Sequence, residues 1–251
     1  MEVHAHSHTE SPPAGRAGKK WTHYLWEFLM LFLAVFCGFL AENLREHQVE
    51  HKREKEYMES LLADLKEDTA EINKSKITAA TCLSYEDSLL FYLYKNPPVS
   101  FLPEHFLILD FRAMLRLKIV FNEGTALQLK NSGNMRLIRK QDVFRKISLY
   151  WNEQENTRIS LARYLEYRNR GREFAEKLFV YSDQDLIDAK LIPPSLQGVR
   201  VIQSAGASWA EYSNIISHCH ITVLNYQDQL EKLLIKSKEL IMLLQNEYHL
   251  K

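Results

Sequence analysis

The longest apolar stretch of the chain runs from Tyr24 to Ala41, where Glu27 is the only charged residue, and from Phe28 to Ala41 no polar side chain occurs. As a helix the stretch rises about 27 Å, and with Trp21 to His23 added it matches the hydrocarbon thickness of a bilayer. Trp21, Tyr24 and Trp26 cluster at one end, close to Arg16, Lys19 and Lys20. Amphipathic rings and basic residues settle together at headgroup depth, a grouping that a buried core helix does not require. The pattern predicts one transmembrane helix over residues 21–41. It is too long for a signal peptide, and no small-x-small cleavage site follows it.

No Pro or Gly interrupts the chain between Ala41 and Lys95, so the span is expected to continue as helix. Residues 42–57 form a charged juxtamembrane stalk, with Glu42 placed to pair with Arg45 and Glu50 with Arg53. From Met58 an apolar stripe follows, at Met58, Leu61, Leu62, Leu65, Ile72, Ala79 and Leu83, close to the heptad pattern of a coiled coil. Asn96, Pro97 and Pro98 end it, because the residue before a proline is pushed out of helical conformation.

The stretch 99–124 is less legible. Pro103 suits the first turn of a helix, and LRLKIVFN from residue 115 reads equally as a short strand. Thr125 is placed to cap a short helix ending near Ser132, with Gly133 supplying a left-handed stop. A second long helix is expected from about Lys140, with Val143, Ile147, Tyr150, Leu161, Tyr164 and Leu178 on one face and Gly171 as a point of interruption. Ser182 and Asp185 resemble a helix cap, and Pro193 and Pro194 mark a turn. The clearest periodicity comes last: Trp209, Tyr212, Ile216, Cys219, Val223, Tyr226, Leu230, Leu233, Leu240 and Leu244 predict a strongly amphipathic helix. The chain therefore reads as all-α, with a disordered tail (1–20), the span, the stalk, and an antiparallel helical bundle over 58–251 with short accessory helices.

Composition narrows the choice of partners. The 32 basic and 32 acidic residues cancel, so no long-range field recruits polyanions and nucleic acid is not an expected partner. Cys37, Cys82 and Cys219 are too scattered for a disulfide framework, although a Cys82 to Cys219 bridge is open to a domain in an oxidising compartment. Arg16, Lys19 and Lys20 precede the span and Glu42 is the first charge after it, which places the N-terminus in the cytoplasm. Arg45, Lys52, Arg53 and Lys55 on the other side pull the opposite way.

Few residue constellations suggest chemistry. His47, Glu50 and His51 fit the H-x-x-E-H pattern of a zinc hydrolase, with both imidazoles on one helix face and the carboxylate near enough to activate water. The match lies in a wholly polar stalk with no apolar wall to form a dry pocket. His4, His6 and His8 occupy a tail without fixed geometry. The Gly15 to Lys20 stretch fails as a phosphate loop, because Trp21 stands where Ser or Thr is needed. His218 and His220 point some 200° apart on a helix and cannot share a metal, while Cys219 between them falls on the apolar stripe. The Arg- and Tyr-rich run from Arg158 to Arg172 is interleaved with Glu166 and reads as a solvated face. No cofactor is called for.

Within the span, Ala34 and Gly38 form a small-xxx-small pair that lets two helices approach closely, while Phe28, Phe32, Phe36 and Phe39 recur on another face. The expected function is a membrane-anchored structural or protein-interaction module, lodged in a lipid bilayer. It is able to form a homodimer through span and stalk, or to engage a separate protein partner. A sensor domain acting through a partner is the remaining alternative.

The segments KKWTHYLWEFLMLFLAVFCGFLAENLREH, HKREKEYMESLLADLKED and LQLKNSGNMRLIRKQDVFRKISLYW resemble an uncharacterised family of bacterial single-span membrane proteins. The likeness rests on the His-bearing tail, the aromatic-rich span, the run from Arg53 to Leu65 and the L-K-x-S-G-N-x-R-L-I run from Leu129 to Ile138. It implies a bacterial inner-membrane protein and assigns no activity.

Overall fold

The computed structural model describes residues 17–95, 101–102, 104–180, 199–201 and 206–251. Helix α1 is a single unbroken element, Ala17–Lys95. It is followed by strand β1 (Phe101–Leu102), helix α2 (Glu104–Ala113), helix α3 (Gly124–Asn131), a 3-10 turn (Asn134–Leu137) and helix α4 (Gln141–Leu178). Strands β2 (Phe179–Val180) and β3 (Val199–Val201) precede the final helix, α5 (Gly206–Tyr248). The architecture is all-α apart from the short strands, which form a small antiparallel sheet of order β1-β3-β2. Phe101 pairs with Arg200, and Phe179 with Val201.

The chain divides into two compact units, Met1–Arg53 and Glu54–Lys251. In the first, helical conformation begins at Ala17, so the last residues of the expected tail are helical. Residues 21–49 are all exposed. This helix contains a window with mean hydropathy 2.0, none of it buried, which is long and apolar enough to cross a membrane.

The second unit is built on seams. Along α1 the positions Glu54, Met58, Leu61, Leu65, Asp68, Ile72, Ser75, Ala79, Cys82, Glu86, Leu89 and Leu93 alternate by four and three, and every one is buried. That spacing tracks a single helix face, so an adjacent helix can cover it completely. α4 follows the same rule through Val143, Ile147, Tyr150, Gln154, Thr157, Tyr164, Gly171, Ala175 and Leu178, and α5 buries every position of its predicted stripe. α5 runs antiparallel to α1, since Tyr248 meets Glu54, Ser237 meets Thr69 and His220 faces Glu86.

Several expectations need correction. Gly171 does not interrupt α4; it is a seam position where a Cβ would stand 2.9 Å from Met114 Sδ and 3.4 Å from Ile215 Cγ2. Glycine is there for close approach, at the usual helix-interior cost of about 1 kcal/mol. Thr125 is not a cap: α3 starts at Gly124 with no side-chain cap bond, and the Thr125 N–H is instead taken by Asp64 of α1 at 3.4 Å. Residues 115–123 form neither strand nor helix. Gly133 is left-handed as expected, with φ 68°, and α1 stops at Lys95. Ser182, Asp185, Pro193, Pro194 and the tail histidines lie outside the described residues.

Replacing the fully buried Leu230 by Ala is expected to lower stability by about 2–5 kcal/mol, read as a shift in denaturant midpoint. Gly171→Leu should cost about 1–3 kcal/mol by overpacking against Met114 and Ile215, whereas an interrupted helix would accept it without loss.

Candidate functional site

The sequence candidates occupy two places. His47 and His51 are exposed and Glu50 is half-buried, one turn of α1 apart. Among the described residues no three His, Cys, Asp or Glu side chains are grouped to hold a metal ion. Ala34 and Gly38 are exposed on the apolar segment, with open space where a Gly38 Cβ would stand. Phe28, Phe32 and Phe36 stack as a ladder, with ring centroids 6.4 and 5.9 Å apart.

The chemistry of the bundle lies in residues that the apolar stripe concealed. Four carboxylates are buried and provided with donors. Glu54 Oε1 accepts the Tyr248 hydroxyl at 2.6 Å and the Arg139 N–H at 3.0 Å. Asp68 accepts the Asn122 N–H at 2.8 Å, the Tyr150 hydroxyl at 2.7 Å and Gln154 Nε2 at 3.1 Å. Asp110 accepts the Tyr212 hydroxyl and pairs with Arg172, and Glu153 pairs with Lys236. Burial pushes the Asp68 carboxyl above its usual range, opposed by the Asn122 and Tyr150 hydrogen bonds. Burial likewise pushes the Tyr150 phenol well above its ordinary value, so it remains a donor.

These groups explain why residues 114–123 hold a fixed path without regular structure. Backbone polar groups withdrawn from water need partners. Here Cys82 Sγ donates to the Ala113 carbonyl, Arg168 Nε to Met114, the Tyr164 hydroxyl to Leu115, and Ser75 Oγ to Lys118. The run from Arg158 to Arg172 is therefore more than a solvated face. Arg168 and Arg172 are internal ties, while Arg158 pairs with Glu123 and Arg170 with Glu211.

Cys82 and Cys219 are buried free thiols with no bridge between them. Burial pushes Cys82 up to about 12 and raises Cys219 further, so both stay protonated and neither is an activated nucleophile. His218 is exposed and stacks on Tyr167. His220 turns inward to Glu86, with Nδ1 3.4 Å from Oε2, and its Nε2 lies 3.6 Å from Asp87 Oδ1. The two histidines diverge as the helical geometry requires. Glu86 sits in the seam of α1, and burial pushes its carboxyl up to about 9. Met58, Leu65, Ile72, Ala79, Glu86 and Leu93, spaced by seven, carried the signal, because the series sets an acid at a core position.

Asp68→Ala should destabilise the bundle by about 3 kcal/mol, because it strands the buried Tyr150 and Gln154 donors and releases the Asn122 N–H, and Tyr150→Phe by about 1–2 kcal/mol. Denaturant titration of each variant reads the cost; values near zero would mean the network is solvated. Comparison with protein-family models, curated proteins and solved structures finds nothing that matches this chain.

Proposed function

We propose that this chain is a single-span membrane protein whose helical bundle serves as a structural or protein-interaction module, self-associating through the span. The observation that carries this reading is a contrast within one helix. Over residues 54–93 α1 buries one seam and exposes polar residues, while its apolar segment before them buries nothing. An apolar surface left bare on all sides is costly in water, at about 25 cal/mol per Å², and costs nothing in lipid.

Self-association is supported by how the faces divide. His23, Glu27, Ala34, Gly38 and Arg45 succeed one another at intervals of four and seven, which places them on a single face. His23 and Glu27 approach to 3.4 Å on it, and Glu42 accepts Arg45 at the far end. The Phe28, Phe32 and Phe36 ladder occupies another face. Small residues let backbones approach, and the bulky rings suit the lipid side. The resemblance to bacterial single-span proteins supports the inner membrane, and the basic residues before Trp21 favour a cytoplasmic N-terminus.

Gly38→Leu is expected to weaken crosslinked dimer in membranes by roughly tenfold, about 1.4 kcal/mol, while Phe32→Leu leaves it unchanged. Equal crosslinking in all three proteins would remove the span from the interface. A reporter active only outside the cytoplasm should be active when fused after Lys251; activity only when fused at the N-terminus reverses the orientation. Affinity purification from native membranes then identifies a protein partner.

A further inference from the structure

Glu86 is provided for differently from the other buried acids. Its side chain is fully buried, and its Oε2 and the Nδ1 of His220 stand 3.4 Å apart with neither atom hydrogen-bonded. Oε1 faces Cys82 Sγ at 3.9 Å. The groups around the pair are Cys82 and Asp87 from α1, Tyr164 and Arg168 from α4, Cys219 from α5, and backbone carbonyls from the stretch after α2. Arg168 is committed to the Met114 carbonyl. Among the described residues no Lys or Arg forms an ion pair with Glu86.

We propose that Glu86 and His220 form a proton-binding site that couples the packing of α1 against α5 to pH, one shared proton holding the helices together and its loss loosening them. With the proton on Glu86, the carboxyl O–H donates to Nδ1 and the imidazole Nε2–H is directed toward Asp87. A single hydrogen then spans the gap between Oε2 and Nδ1. Without it, a fully buried carboxylate is left with no cation beside it, and the one N–H of the neutral imidazole can serve it only by moving to Nδ1, which turns the Nε2 lone pair on the Asp87 carboxylate, an arrangement that costs far more than an unmade surface bond. Opening the seam to admit water relieves that cost.

The place of the pair in the fold gives the loosening its reach. Cys82, Tyr164 and Cys219 belong to the larger core cluster, whereas Leu89, Ala113 and Ile216 belong to the smaller aromatic one. Glu86 lies between them on α1, so its proton holds the seam where one cluster gives way to the other. Burial keeps the carboxyl protonated up to about pH 9, against 4.5 for a free one. The folded state therefore binds one more proton than the unfolded state between these values. Stability from this site is complete below 4.5 and is lost as pH rises toward 9.

The test uses the full chain in mild detergent and compares it with Glu86→Gln, which keeps the shape of the protonated acid and cannot titrate. Between about pH 6 and 9 the wild-type unfolding constant should rise by up to about tenfold per pH unit, and that of the variant should stay flat. Infrared spectroscopy should show a protonated-carboxyl band at about neutral pH that fades at alkaline pH and is missing from Glu86→Gln. Equal slopes in the two proteins, or no such band in the wild type, overturns the proposal. Should Glu86→Gln fail to fold, His220→Gln decides: a changed pH of band loss supports the shared proton, and an unchanged one rejects it.

Discussion

Closure of the α1 seam by α4 and α5 is the interaction on which the rest of the bundle depends. Apolar burial at about 25 cal/mol per Å² supplies the driving force along all three helices, and it also creates the dry environment in which a few polar groups matter so much. Glu54, Asp68 and Glu86 take seam positions that Leu or Ile fills elsewhere on α1. Each is tolerable only because the covering helices bring it a partner. Tyr248 of α5 serves Glu54, Tyr150 and Gln154 of α4 serve Asp68, and His220 of α5 faces Glu86. The polar residues thus help fix which positions face one another, since a slip of one turn would strand a buried charge.

In the proposed function, α1 meets two solvents with one secondary structure. Helical hydrogen bonding closes within the segment, so the backbone is indifferent to what surrounds it. Only side chains distinguish the two units: a seam with a polar back over 54–93, and an apolar belt with aromatic residues at its start over 21–41. The boundary between the units falls at Glu54, where the seam begins. In the proposed function this is the point at which lipid-facing chemistry has ended and protein packing takes over.

The helices were legible because their apolar residues repeat with the period of a helix face. Every position named in the stripes beginning at Met58 and Trp209 is buried. What escaped was set by contacts between segments distant in sequence. The stretch 115–123 has no periodicity, because α1 and α4 satisfy its backbone through Ser75, Asp68 and Tyr164. Gly171 looked like a break, because local propensity carries no information about how closely Met114 and Ile215 would approach. The buried acids were not singled out, because an acid inside an apolar stripe declares itself only when the strict seven-residue spacing is followed through it.

The pairing of Tyr248 with Glu54 joins groups 194 positions apart in the chain. A ribosome makes the α1 seam long before the helix that covers it, so all the residues between them must be synthesised before the bundle can close. Until then the nascent chain carries a bare apolar stripe with acids set into it. Contacts of such long separation form slowly and leave sticky surface open to other chains. In the proposed function, early tethering of the N-terminal segment in a bilayer would separate each unfinished copy from its neighbours in solution, giving the span a part in biogenesis as well as in the finished molecule.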